Sequence, residues 1–525
     1  MTKIIVNRVL ATVLTLAAST PMAASYEENW ESLAAHNESP EWFRDAKFGI
    51  YFHWGPYSVP AFGNEHYPRT MYGTVNGKRP VENKQKRNYN LGVGFQTFRE
   101  HYFHLEKYGE PKDVEYHDLF PEFRAENFNA EEWADLFYLA GAQFAGPVAE
   151  HHDGYSMWDS ALTPWDTVDT GPKRDIVGEI SKAIRKRGMK LVTTFHHAKM
   201  GQAAEGSSVK DQRRWHYYGR QKYFERVAPG HVDDPEVSKL YGTMPWEDFL
   251  VMWNGKLEEV IDAYQPDIIW FDSWLDRIPA ENRQKFAAYY LNAADDWGKE
   301  VVITYKQEDM PQNLGVVDFE KGRMDDLTDY TWLTDDTISA GTWTTTGSWS
   351  YTEELIIKSS SELVHTLIDI VSKNGNLLLN ISPRADGTIP EAQKESLLGV
   401  GKWLRANGEA IYGTRPFKVY GEGPKRMASS GHFVQMTGSY NEENIRFTTK
   451  DDAIYAIQMG WAGSKKEVLI KSVIPENLEG RTVANVSVVD SPETISWEQA
   501  DEGLLVTTPF KASNKIAICF KIETE

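Results

Sequence analysis

Along most of the chain, short apolar runs alternate with segments whose apolar positions return every three or four residues. The runs 47–54 (KFGIYFHW), 189–197 (MKLVTTFHH), 266–273 (PDIIWFDS), 300–306 (EVVITYK) and 376–382 (NLLLNIS) are short, apolar and rich in β-branched residues, which predicts buried strands. Between them, Trp133, Leu136, Phe137 and Ala140 share one helical face behind an expected capping box of Asn129 and Glu132. A second stripe, Ile176, Ile180, Ala183 and Ile184, runs into Arg185, Lys186, Arg187 and Gly188, a basic last turn with a glycine stop. A third, Leu257, Val260, Ile261 and Tyr264, ends at Pro266.

Alternation of this kind specifies a parallel sheet with both faces covered, as a closed barrel or as a doubly wound sheet. Polar residues at the C-terminal ends of different strands favour the barrel: His53, His151 and His152, His196 and His197, Asp272, and Lys306. A (β/α)8-like barrel builds its active centre from several strand ends in this way. After Arg415 the pattern changes. Residues 445–459 predict a hairpin turning at Asp451-Asp452, and 483–489, 504–508 and 515–522 read as further short strands, together an antiparallel β-sandwich. The expected layout is an α/β barrel catalytic domain over 26–414 and a C-terminal β-sandwich over 415–525. The polar, aromatic stretch 83–118 reads as a long irregular insertion beside the active site.

The first 25 residues stand apart. Lys3 and Arg8 precede the apolar run 9–18 and a small-residue stretch (TPMAAS), the pattern of a secretory signal cleaved near Ala24 or Ser25. That run is too short to span a membrane, and no later stretch reaches the roughly 20 apolar residues a span needs. The mature protein is therefore expected to be exported, to the periplasm or outside the cell. One cysteine, Cys519, rules out an intrachain disulfide, which a core of this size does not require. A net charge of −20 argues against a nucleic-acid partner, whose phosphates it would repel. The 18 Trp, 25 Tyr and 23 Phe supply a large core, with enough rings to spare for packing against the apolar face of a sugar.

Candidate chemistry starts with carboxylates. Asp272 ends an otherwise apolar strand, so it either caps the next helix or faces a cleft. Glu320 follows the apolar run at 316–319 with basic residues beside it. Two such groups from different strand ends form the pair that retaining glycoside hydrolysis needs, one attacking the anomeric carbon and one protonating the leaving oxygen. The acid partner needs a raised pKa, from burial or a neighbouring carboxylate. The histidines offer a zinc site on residue type alone. Adjacent histidines on a strand point to opposite faces, however, so each doublet should supply one group per side, and no HExxH or CxxC accompanies them. Hydrogen bonding to sugar hydroxyls accounts for the same residues without a metal. No GxGxxG, P-loop or GxSxG is present to suggest a dinucleotide, a phosphate or a serine hydrolase.

Four runs, KFGIYFHWGPYSVPAFGNEHYP, EHHDGYSMWDS, PDIIWFDS and NGNLLLNISPRADGTIP, together resemble the α-L-fucosidases of glycoside hydrolase family 29, in that family's order and spacing. The resemblance implies a barrel-like catalytic domain with a C-terminal β-sandwich, retaining exo-hydrolysis of terminal α-L-fucosides on glycans through a covalent fucosyl-enzyme, and no metal or other cofactor. It implies Asp272 as nucleophile and His53, His151 and His152 as ligands of fucose hydroxyls. Trp270 would line the sugar pocket. Glu65 matches a family position usually followed by Trp, but here His66 follows. His196 and Lys306 match polar pocket positions, and Trp349 and Tyr351 fall where an aromatic lies near the fucose methyl. Glu320 matches the acid/base of one branch, with Glu308, Asp318 and Asp325 as competitors. The alternative is a fucose-binding protein on the same fold that has lost its catalysis.

Overall fold

The computed structural model describes residues 25–72, 99–201, 217–218, 234–341, 347–434 and 439–525. The expected signal sequence, apart from Ser25, lies outside these residues, as does 83–98 of the expected insertion.

Eight parallel strands close into a barrel: β1 (Phe48–Phe52), β2 (Phe144–Glu150), β3 (Lys190–Phe195), β4 (Ile268–Phe271), β5 (Val302–Lys306), β6 (Val316–Asp318), β7 (Trp332–Thr337) and β8 (Gly375–Ile381). They follow chain order around the barrel, and β8 returns to β1 with Phe48 opposite Leu377. Inward-facing Tyr51, Val148, Val192, Ile268, Trp270, Val302, Leu333 and Leu378 fill the interior, and a larger apolar layer joins the outer strand faces to the helices. β1, β3, β4, β5 and β8 are the five strands expected from apolar runs. The other three carry contrary local signals. β2 contains Gly146 and Pro147, and the glycine is required, because a Cβ there would sit 1.7 Å from the Val192 carbonyl oxygen of β3. β6 is three residues long, and β7 (WLTDDT) is mostly polar yet wholly buried.

The helices begin and end for the reasons their sequences give. Ala130–Ala140 is capped by Asn129, whose Oδ1 accepts from the backbone N–H groups of Glu131 and Glu132 at 3.1 and 3.4 Å. Glu132 accepts from the Asn129 side-chain amide at 2.9 Å rather than from its backbone N–H, so the cap forms but the expected reciprocal capping box does not. Ile176–Lys186 is capped by Asp175, and Trp246–Tyr264 stops with Gln265 in the left-handed region before Pro266. Among the described residues no helix separates β5 from β6 or β6 from β7, and β6 meets β7 at the single pair Asp318–Leu333. This irregular arc of the barrel carries Glu320.

The stretch 99–118 corrects the expectation of an irregular insertion. It holds the helix Arg99–Lys107 and the start of the 3-10 turn Tyr116–Glu122. Tyr116 donates a 2.5 Å hydrogen bond to Asp153 Oδ2, so the segment packs behind the His151-His152-Asp153 turn.

The C-terminal sandwich pairs a five-stranded antiparallel sheet with a three-stranded one over a core of Phe447, Ile454, Leu504, Val506 and Phe520. Its first strand is Arg415–Glu422, and the expected hairpin is Ile445–Lys450 with Ala453–Gln458. A buried ion cluster joins it to the barrel. Asp369, on the helix Ser360–Val371, accepts from Arg446 Nε at 2.7 Å and Lys373 Nζ at 2.9 Å. Burial would raise the Asp369 carboxyl, but the two cations outweigh it and hold it at about 2. Asp369→Ala leaves both cations buried without their carboxylate, and unfolding free energy should fall by about 3–5 kcal/mol. Chemical denaturation checks this; a loss under about 1 kcal/mol would mean the junction tolerates the bare charges.

Candidate active site

The strand ends converge on one ammonium. Lys306, the last residue of β5, is 1% exposed, and its Nζ lies 3.2 Å from Asp272 Oδ1, 3.1 Å from Glu320 Oε2, 3.4 Å from Asp335 Oδ2 and 3.8 Å from Asp318 Oδ2. Burial would strip its proton, but the four carboxylates keep it charged, well above the ordinary lysine range. The ammonium also sits 4.8 Å above the Trp270 ring, which is buried in the barrel.

Asp272 follows β4 by one residue, and its N–H extends the ladder to the Phe195 carbonyl at 3.0 Å. Its second oxygen faces a ring of nitrogens: His152 Nε2 at 3.1 Å, His196 Nδ1 at 3.6 Å and Lys199 Nζ at 3.6 Å. Burial by itself would raise this carboxyl; the ammonium groups of Lys199 and Lys306 outweigh it and hold it well below the usual range. Asp272 is thus ionised at neutral pH.

Glu320 is tuned the other way. Burial pushes it up to about 7, Lys306 pulls it down, and the charges of Asp335 and Asp272 push it back up. Its competitors occupy different settings. Glu308 and Asp325 are exposed, and Asp325 is engaged with Ser430. Asp318 is fully buried, and burial with Asp335 beside it pushes its carboxyl well above the carboxylate range. Glu320 alone of the four is both shielded and reachable, its side chain 12% exposed.

The histidines form a wall. His53 Nδ1 donates to Asn380 Oδ1 on β8 at 2.8 Å, leaving Nε2 as an acceptor. Asn380 in turn donates to the Thr337 hydroxyl and the Trp349 carbonyl, which fixes its orientation. His151 packs 5.3 Å from His53 and 4.6 Å from His196, ring centre to ring centre. His152 Nδ1 donates to the His196 carbonyl at 2.7 Å, which aims Nε2 at Asp272. Burial lowers His152 to about 3 despite that carboxylate. A neutral ring with Nδ1–H presents a lone pair to Asp272, a contact that a hydroxyl placed between the two acceptors would relieve.

The expectation that each histidine doublet divides between two faces fails for His151 and His152. β2 ends at Glu150, and the turn that follows brings both rings inside. It holds for the second doublet: His196 faces the centre, and His197 stacks outward on Trp253 at 5.5 Å. His53, His151 and His196 present nitrogens within 4.8 Å of one another, as do His152, His196 and the Asp272 carboxylate, so either trio could hold a zinc-like ion.

Glu65 is buried, and its Oε2 accepts from the Trp349 N–H at 2.9 Å and the Ser348 hydroxyl at 3.2 Å. Trp349 lies 5.4 Å from His53 and 6.3 Å from Tyr51, whereas Tyr351 packs under Arg384. His66, the residue after Glu65, stands parallel to His152 at 5.8 Å. Glu65 Oε1, His151 Nδ1, His196 Nε2 and Trp270 Nε1 are buried without a protein hydrogen-bond partner, a set of groups matched to a polyhydroxylated ligand.

Sequence reasoning missed several members. Lys199 lies two residues past the apolar run 189–197, in the 3-10 turn that follows β3, and that position was its signal. Asn380 carried the same strand-end signal inside the run 376–382 and was passed over. Asp335, Tyr217 and His432 carried none, because distant segments bring them in; Tyr217 stacks on His152 at 5.1 Å, and His432 accepts from the Glu320 N–H. Cavities of about 430 and 590 Å3 lie elsewhere, lined by residues such as Gln312 and Thr328, and neither includes Asp272 or Glu320.

The model of a family described as alpha-L-fucosidase matches residues 13–409, and that of the alpha-L-fucosidase C-terminal domain matches 439–523. The tissue alpha-L-fucosidase of Rattus norvegicus is 29% identical over 503 residues, covering 92% of this chain and 88% of that protein. That of Bos taurus is 30% identical over 497 residues, covering 92% and 87%. Among solved structures, the Thermotoga maritima alpha-fucosidase in complex with fucose is similar at a TM-score of 0.68 and 27% identity, covering 95% of this chain and all of that one.

Proposed function

The chain belongs to the α-L-fucosidase family of glycoside hydrolases, and from that premise we propose that it removes terminal α-L-fucose from glycans with retention, through a covalent fucosyl-enzyme. Asp272 is the nucleophile and Glu320 the acid/base. The observation that carries this reading is the shared Lys306 ammonium. Asp272 and Glu320 oxygens at 3.2 and 3.1 Å from one nitrogen lie at most roughly 6 Å apart, short of the ~6.5–9.5 Å of an inverting pair and compatible with ~5–5.5 Å in a retaining one. Their opposite tuning supports the same division of labour. A nucleophile must be ionised and a general acid protonated at the same pH, and the surrounding charges separate the two.

In this mechanism Asp272 attacks the anomeric carbon while Glu320 gives its proton to the leaving oxygen. Glu320, now a carboxylate, then takes a proton from the water that releases fucose. His53, His151, His152 and Glu65 bind the sugar hydroxyls, Trp270 and Trp349 line the apolar side, and Lys306 keeps the two carboxylates apart in charge and close in space. Fucose bound to the Thermotoga maritima relative supports fucose as the glycone. The non-catalytic binding alternative gains no support, since both carboxylates are present. The N-terminal charge and apolar pattern supports export of the mature protein.

The histidine wall acts here on hydroxyls, with no resident metal. Prolonged treatment with a strong chelator should therefore leave kcat on an aryl α-L-fucoside unchanged. A loss of activity that zinc restores would overturn this part of the reading. The reaction itself is tested by following product anomers by NMR: retention predicts that α-L-fucose appears first, and initial β-fucose would exclude it.

A further inference from the structure

Glu320 sits on a turn that is gripped from both sides. On one side the Phe319 and Lys321 N–H groups bond to the β7 carbonyls of Leu333 and Asp335 at 3.0 and 2.7 Å. Successive N–H groups of an extended chain point in opposite directions, so Glu320's own N–H faces away from β7. It meets a strap that comes from beyond the barrel, on the chain between the first two strands of the sandwich domain. Glu320 N–H donates to His432 Nδ1 at 3.0 Å, and the Phe433 N–H donates to the Glu320 carbonyl at 2.8 Å. The grip continues along the turn. Arg323 and Gly431 exchange both backbone hydrogen bonds, at 3.3 and 3.0 Å, and the Asp325 N–H donates to the Ser430 hydroxyl at 3.0 Å. The His432 ring packs 5.4 Å from Phe319. Space is tight enough that a Cβ on Gly322 would lie 2.8 Å from the Gly431 carbonyl oxygen.

Of the bonds to the Glu320 peptide, the one from its N–H ends on a side chain. We propose that His432 is a positioning residue for the acid/base, so that a strap of the C-terminal domain completes the proton-donating half of the site. The inference rests on Glu320 being that acid/base. His432 must keep Nδ1 bare to accept, which leaves Nε2 as the protonated nitrogen. Its role is to hold the backbone from which the Glu320 carboxyl reaches the leaving oxygen. A displacement of about 1 Å at such a point costs up to about 10²-fold in rate.

The test compares His432→Ala, His432→Asn and Glu320→Ala on an activated nitrophenyl fucoside and on a fucosyl disaccharide with a poor leaving group. The Asn Oδ1 stands close to where Nδ1 was and can accept the same hydrogen bond. His432→Ala should lose roughly 10- to 100-fold in kcat on the disaccharide with little change in KM, stay within about 3-fold on the nitrophenyl substrate, and be largely rescued in His432→Asn. Equal losses on both substrates, no loss, or no rescue by Asn in a variant that melts like wild type would overturn the positioning role. If Glu320→Ala keeps its own leaving-group dependence in that case, the acid/base assignment survives. If Glu320→Ala lacks it, both fall together.

Discussion

Asp272→Ala should abolish fucoside hydrolysis, with kcat reduced on the order of 10⁴- to 10⁶-fold, the range seen when an enzyme loses its nucleophile. That corresponds to about 5–8 kcal/mol of transition-state stabilisation. The size follows from how completely the site is built around this carboxylate. Lys306, His152, His196 and Lys199 converge on its two oxygens at 3.1 to 3.6 Å, and no other described carboxylate meets that set. Fucose binding should outlast the loss of turnover, because the histidines and Glu65 remain. Azide gives a second readout. The alanine leaves room on the face that Asp272 attacked, Glu320 and a good leaving group remain available, and an activated α-fucoside should yield the inverted β-fucosyl azide. A variant within about 10-fold of wild type, or an azide adduct of retained configuration, would remove Asp272 from its role.

Glu320→Ala should lose about 10²- to 10⁴-fold on substrates with poor leaving groups and far less on activated aryl fucosides, because only the former need a proton at the departing oxygen. The pH profile carries the same information. Buried, pushed up further by Asp335 and Asp272 and opposed by Lys306, Glu320 titrates at about 7. A general acid works protonated, so kcat/KM on a disaccharide should fall as pH rises through about 7, and Glu320→Gln should erase that alkaline limb. Asp272, held well below the usual range, places the acidic limb far lower. The raised Glu320 also weakens the fold at higher pH. Between its ordinary 4.5 and about 7 the folded protein keeps a proton that the unfolded chain has released, so stability falls as pH rises across that window. Glu320→Gln should flatten this slope in pH-dependent unfolding. An unchanged alkaline limb in Glu320→Gln would transfer the acid role to another group.

Much of this was legible in the sequence, and the limit is physical. Periodicity records which side of an element is buried, so β1, β3, β4, β5 and β8 could be read from their apolar runs, and with them the strand ends that carry His53, His196, Asp272 and Lys306. The hairpin at Asp451-Asp452 and the helix stops at Gly188 and Pro266 follow from local backbone chemistry in the same way. Where burial is decided by neighbours, the local signal misleads. Gly146 and Pro147 lie inside β2 because β3 approaches too closely for a side chain at the glycine, and the polar β7 is buried because its Asp335 meets Tyr51 and Lys306.

The charge states of the site belong entirely to the tertiary structure. Asp272 and Glu320 are both acids after apolar segments, and nothing local says which is ionised. Their separation comes from burial and from Lys199, Lys306 and Asp335, which the barrel brings within a few ångströms from elements far apart in the chain. The same holds for the competing acids, sorted by exposure, for His151 and His152 turning inward together past the end of β2, and for His432, which reaches Glu320 from outside the barrel. The sequence by itself determined the barrel, the sandwich and the residues available for chemistry, because those depend on patterns a few residues long. The roles open to these residues depend on burial and on fields from distant charges, and only closing the barrel brings those to bear.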